Sequence, residues 1–256
     1  DKREKLLSVF IAVVLMSSFS LAQEHNEHDG HDHTATQAVS QENSEPVHRI
    51  MSEEHSEKLA SLLVLDFQGR IIPVHSLCDQ LLRKILRDKK FEDNNAVQTI
   101  MSMHMYPQYW AEIDIIYVSS KGELREKFDM SGSLTSYKNL TDDSGQFKLA
   151  KDYAKAHQKL ESKRNEFDKQ LIKLVERYQV IQAIFSWQYM KIIPLKNDPN
   201  NSWFVPLSMD LMQKDSISSS KALKYLSSLD KAAKEGSYGQ TDDLLTELKS
   251  FQRNAA

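Results

Sequence analysis

The stretch Phe167-Asp-Lys-Gln-Leu-Ile-Lys-Leu-Val-Glu-Arg-Tyr-Gln-Val-Ile-Gln-Ala-Ile-Phe185 decides the fold class. Phe167, Leu171, Leu174, Tyr178, Ile181 and Phe185 recur at alternating steps of four and three, which places them on one face of an α-helix. The seam covers under three heptads, so it predicts a core-facing helix in a bundle and not a long coiled coil. Residues 147–190 around it contain neither glycine nor proline, with a break expected near residues 162–165.

Working outward toward the N-terminus, residues 113–118 (IDIIYV) predict a strand, and Asn94 is expected to cap a helix running to about Met105 and ended by Pro107. Residues 123–128 read as one or two helical turns. Residues 64–76 (VLDFQGRIIPVHS) read as a short β-hairpin turned at Gly69, with Pro73 confining the second strand to an edge. A helix with Leu77, Leu81, Leu82 and Ile85 inward runs on from there to residue 86, and one capped by Ser52 precedes the hairpin. Toward the C-terminus, residues 191–195 (KIIPL) read as a short strand and residues 197–201 as a dense turn. Residues 219–234 and 241–251 predict two closing helices joined at Gly236 and Gly239, with Thr241 as the cap of the second. The expected class is mainly α with minor β: a helical bundle-like domain with a short β-hairpin and one or two additional short strands.

Composition narrows the functions. The chain has 256 residues, with 33 Lys and Arg against 36 Asp and Glu, a net charge of −3 that gives no nucleic-acid footprint. Its 7 glycines form no GxGxxG or GxxxxGK[ST] loop. One cysteine, Cys78, excludes an intrachain disulfide, a CxxC pair and a CxxCH haem attachment site within this chain. Cys78 sits in an apolar helical pattern and reads as a small buried hydrophobe.

The first fifty residues differ from the rest. Residues 2–5 are charged and largely basic, and residues 6–21 (LLSVFIAVVLMSSFSL) carry no charge. That pattern fits a secretory signal or a short membrane anchor with a basic flank, and both readings export the remainder of the chain. Residues 23–48 contain six acidic residues and five histidines but no Lys or Arg, and predict a disordered linker. The expected organisation is a signal-like or anchor segment over residues 1–22, the linker over 23–48, and a helix-rich extracytoplasmic domain over 49–256. Because residue 1 is Asp and not Met, the chain reads as a piece of a longer polypeptide.

Two groups invite a metal reading. His25, His28, His31 and His33 lie in EHNEHDGHDH, where imidazole and carboxylate suit loose binding of Zn²⁺ or Cu²⁺, but no fixed geometry is implied and a solvated linker with incidental affinity is the favoured reading. Met101 and His104 in MSMHM offer thioether and imidazole, but methionine is also a core filler. No Ser/His/Asp set and no HExxH motif is present, so the residues by themselves expose no catalytic centre.

The segment Asp66-Phe-Gln-Gly-Arg-Ile-Ile-Pro-Val-His-Ser-Leu-Cys-Asp-Gln-Leu-Leu-Arg-Lys84 resembles a stretch found in system II cytochrome c biogenesis proteins. A second block, Asn197-Asp-Pro-Asn-Asn-Ser-Trp203, resembles the same family. Asn165-Glu-Phe-Asp-Lys169 and Ile192-Ile-Pro-Leu195 stand between them in the family's order. The resemblance implies membership of a membrane machine that carries haem to the outer face and attaches it to the CxxCH thiols of apocytochrome c. The family's tryptophan-rich haem segment is absent here; Trp110, Trp187 and Trp203 stand alone. Haem is therefore implied for the parent machine, with no ligand assigned in this segment. The implied role is a docking or scaffold domain on the periplasmic side, membrane-anchored, with apocytochrome c and the membrane parts of the same machine as partners. Gln68, Arg70 and Trp203 are the expected docking residues.

Overall fold

Asn165 starts the central helix by exchange: its side chain accepts from Asp168 N–H at 2.9 Å, and the Asp168 carboxylate accepts from Asn165 N–H at 3.0 Å. Lys159 donates to both carboxylate oxygens of Asp168, so the break between the two helices here is a fastened turn. A computed structural model of the protein describes residues 48–255. The apolar residues 6–21 and the acidic linker as far as residue 47, with His25, His28, His31 and His33, lie outside the described residues.

The described residues hold ten α-helices and four two-stranded antiparallel pairs, in the class expected from the sequence. In order they are α1 (Glu53–Ala60), β1 (Leu63–Leu65), β2 (Ile71–Pro73), α2 (Val74–Leu86), β3 (Lys90–Phe91), β4 (Asn94–Asn95), α3 (Ala96–Met105) and α4 (Pro107–Glu112). Next come β5 (Ile116–Tyr117), α5 (Leu124–Lys127), β6 (Leu134–Thr135), α6 (Ala150–Gln158), α7 (Glu166–Phe185), β7 (Ile193–Pro194) and β8 (Trp203–Phe204). Three helices close the chain: α8 (Met209–Lys214), α9 (Ser216–Glu235) and α10 (Gly239–Ala255). Strands pair with their nearest strand partner along the chain: β1 with β2, β3 with β4, β5 with β6, β7 with β8. No helix among the described residues is long and apolar enough to cross a membrane.

Helix α7 packs against α2, α3 and α6. Leu171, Leu174, Tyr178 and Ile181 of its seam are buried, and Phe167 and Phe185 are half-buried at the ends. Val175 and Ile184 are buried as well, so the apolar stripe is wider than a coiled-coil seam and suits a helix with neighbours on several sides.

Several expectations shift by the detail of a cap. Asn95, not Asn94, caps α3, because Gln98 returns the bond to Asn95 N–H; Asn94 is taken up by pairing with Phe91. Pro107 does not only end α3. It opens α4, where a missing N–H costs nothing. Helix α2 begins at Val74, directly after Pro73. Thr241 is not a cap. Helix α10 starts at Gly239, and the Thr241 hydroxyl bonds to Ser228 of α9, at 3.1 Å to the carbonyl and 2.7 Å to the hydroxyl.

The N-terminal helix is tied to the C-terminal pair by His55. Its Nδ1–H meets the Asp242 carboxylate at 2.7 Å, which leaves Nε2 to accept from the Tyr225 hydroxyl at 3.0 Å. Asp242 also binds Lys58 at 2.7 Å. Burial lowers the His55 pKa, against the opposing pull of Asp242, which favours the neutral ring that this geometry needs.

The segment before α5 presses on the start of α7. A Cβ added at Gly122 would lie 2.8 Å from Phe167 Cα and 3.1 Å from Glu166 O, on a backbone with φ of +77°. Gly69 has the same φ of +77° but nothing within 4 Å. The Gly69→Ala substitution should therefore cost about 1 kcal/mol, the left-handed penalty alone, and Gly122→Ala should cost roughly 2 kcal/mol or more because two backbones must part. Urea unfolding of the two variants checks this; equal losses would show that the packing at Phe167 yields without cost.

Candidate functional site

The hairpin β1–β2 is built around one carboxylate. Asp66 Oδ1 accepts from Gln68 N–H and Arg70 N–H, both at 2.8 Å, and Oδ2 accepts from Arg70 Nε at 2.8 Å and Nη2 at 2.7 Å. Burial pushes the Asp66 carboxyl up, but the Arg70 backbone and side-chain bonds and the Gln68 bond outweigh it and leave the pKa below the ordinary value. Gly69 N–H closes the turn onto Asp66 O at 3.1 Å. The consequence is display. Phe67 is 62 % exposed and Ile71 49 % exposed, with Gln68 also exposed at the tip. Phe67 stands edge-on to Tyr189, ring centroids 6.4 Å apart.

The second hairpin is seated beside the first. Leu65 N–H donates to Lys191 O at 3.0 Å. The Gln252 side chain, 1 % exposed, donates through Nε2 to Leu63 O and Ile192 O, both at 2.8 Å, and accepts from Leu63 N–H at 3.0 Å. Ile193 then pairs with Phe204 and Pro194 with Trp203. The turn between β7 and β8 is held by Asp198, which accepts from Ser202 N–H at 2.9 Å and Asn200 N–H at 3.3 Å. The two sequence blocks, far apart along the chain, thus stand on adjoining hairpins.

The expected docking residues separate. Gln68 is exposed. Arg70 is a structural residue of the turn whose guanidinium still reaches the surface, its side chain 55 % exposed. Trp203 is 6 % exposed and pairs with Pro194, so little of its side chain is open to a partner. Asp66 and Phe67 are absent from that expected set, although a signal for both exists. Aspartate with Gly three positions on is a turn signature that marks Asp66, and Phe67 is the residue such a turn points outward. Nothing in the sequence marks Gln252, whose partners lie near residues 63 and 192.

Met101 and His104 are both buried in α3. His104 Nδ1–H donates to Ile100 O at 2.7 Å, its Nε2 has no partner among the described residues, and its ring lies 4.9 Å from that of Trp187. Among the described residues no three His, Cys, Asp or Glu side chains gather as a metal set. Burial pushes the Cys78 thiol well up, away from nucleophile chemistry. An open groove of about 880 Å³ along α9 and α10 is lined by serines, lysines, Leu223, Leu244 and Met212, with no imidazole or thiol to hold iron.

No family model matches this chain. It is 26 % identical over 157 residues to Protein NrfI of Wolinella succinogenes; the match covers 61 % of this chain and 17 % of that protein. The chain thus spans a small part of the length of the curated relative it matches.

Two measurements test the architecture. Gln252→Leu keeps the bulk but strands Leu63 N–H, Leu63 O and Ile192 O, and should cost roughly 3 kcal/mol while speeding amide exchange in both hairpins. Exchange that rises no more there than elsewhere would mean the hairpins stand without it. Burial lowers the His104 pKa to about 4. The unfolded chain binds this proton near pH 6.5, so stability from His104 is full above that pH and is lost as pH falls toward about 4, by roughly 3 kcal/mol in all. His104→Phe should unfold with a shallower acid slope by that amount; an unchanged slope would place the ring in water.

Proposed function

We propose that the folded part of this chain is an extracytoplasmic docking or scaffold domain of a system II-type cytochrome c biogenesis machine. The similarity to Protein NrfI supports the coarser part, a role in cytochrome c biogenesis. The observation that carries the docking role is Phe67, a mostly exposed aromatic on a turn locked by the Asp66–Arg70 bonds, inside the segment that bears the family resemblance. A rigid, exposed aromatic gives a partner large contact area at little ordering cost, as interface anchors do.

In this reading the domain makes and breaks no bond. Phe67, Gln68 and Ile71 hold apocytochrome c so that its CxxCH thiols face the haem-delivery side, and the membrane parts of the larger protein handle haem and its attachment. The buried Cys78 leaves the thiol chemistry to the client. The same reading puts the domain on the periplasmic face, anchored through the apolar residues near its N-terminus.

Phe67→Asp combined with Gln68→Ala, introduced into the intact protein, should lower holocytochrome c yield several-fold. It should also weaken capture of an apocytochrome c peptide carrying CxxCH, with an unchanged melting curve. Wild-type yield and capture from the doubly substituted protein would sink the hairpin as the docking surface.

A further inference from the structure

A second exposed surface, apart from the hairpins, is built where α2 meets α7. Arg87 ends α2 as its left-handed cap, with φ of 69°. Its guanidinium carbon lies 4.8 Å from the centre of the Tyr117 ring. Arg177 of α7 reaches the same ring, at 5.4 Å. Two cations on one aromatic are each attracted to its π-system and repelled by one another.

Arg177 cannot relieve that repulsion by turning away. Its Nε donates to Lys84 O and its Nη1 to Lys173 O, both at 3.1 Å. Burial, and then the Arg87 charge, lowers its pKa, and the opposing pull of Glu176 and Tyr117 offsets this only in part. Glu176, the nearby carboxylate, is engaged by Lys84. Among the described residues neither Arg87 nor Arg177 forms an ion pair, and the Arg87 guanidinium donates no hydrogen bond. The site therefore holds two guanidinium groups without a direct ion pair over an aromatic floor, Arg177 fixed by two carbonyls and Arg87 exposed, in a chain whose net charge is −3.

We propose that Arg87 and Arg177, set over Tyr117, are paired anchors for the acidic side chains of a partner polypeptide. Guanidinium is the group that meets carboxylates with parallel, charge-assisted hydrogen bonds. A lipid surface is disfavoured because the exposed large apolar residues (Phe67, Ile71, Leu160, Leu207, Met209 and Ile217 among them) all lie outside α2, α7 and β5, so no apolar residue there is placed to insert. Nucleic acid is disfavoured because the charge is local and not a long basic stripe. The site does not depend on the docking role given to the hairpin.

The test uses the full chain in mild detergent and a fluorescent twelve-residue peptide rich in Glu and Asp, monitored by anisotropy at low salt. A matching Gln and Asn peptide, inorganic phosphate and a short-chain phosphatidylglycerol serve as the other probes. The acidic peptide should bind with salt-sensitive affinity, and Arg87→Gln should weaken it about tenfold with an unchanged melting temperature. Arg87→Glu should weaken it further, and Phe67→Asp should leave it alone. The proposal is overturned if the peptide fails to bind, binds Arg87→Gln as well as wild type, or is matched by its neutral counterpart. Tighter binding of phosphate or of the lipid, with the same Arg87 dependence, also overturns it and reassigns the site.

Discussion

The side chain of Gln252 is the constraint on which the presented end of the domain depends. Two-residue and three-residue strands have too few ladder bonds to stand alone in water. Here one buried carboxamide supplies the missing bonds to both hairpins at once, taking Leu63 N–H and O and Ile192 O into a single network. The amide group suits this because it carries donors and an acceptor on one planar unit. Helix α10 delivers it, so the C-terminal helix fixes segments that lie far earlier in the chain.

Helix α10 does so at both ends. Near its start, Asp242 holds His55 and Lys58 of α1, and His55 in turn reaches Tyr225 of α9. Farther along, Gln252 holds the hairpins. The N-terminal helix, both hairpins and the last two helices are thereby tied together, and they share one apolar core with α2, α3 and α7. A turn such as Asp66–Arg70 can then hold Phe67 in water without collapsing onto the core, because the strands under it are already anchored. At the other junction Arg177 is held by the carbonyls of two helices, beside the exposed Arg87.

Much of this was legible in particular residues. The spacing from Phe167 to Phe185 gave α7, its burial face and its packing class. Asn165, Ser52 and Gly236 marked helix ends, because a cap is a local bond between neighbours. Gly69 gave the hairpin. The misreadings share one cause. Thr241 and Asn94 each carry a valid local signal, and a competing partner decides how it is used: Ser228 for Thr241 and Phe91 for Asn94. The pairing of β5 with β6 and of β7 with β8 joins runs of two residues that carry no periodicity to read.

The amino-acid sequence determined by itself the features that depend on near neighbours: the helical class, the seam of α7, the capped ends, the Asp66–Gly69 turn, the want of a local catalytic set, and the two blocks that resemble one family. Only the tertiary structure decided which side chains are presented. Trp203 turned inward, Phe67 turned outward, and Arg87 met Arg177 over Tyr117. Exposure is set by what else packs on a residue, and those partners come from elements 93 positions away for Arg177 and Lys84, and 60 and 189 positions away for Gln252 with Ile192 and Leu63. No local pattern encodes contacts at that separation, whereas the fold creates them by bringing distant helices to a common junction.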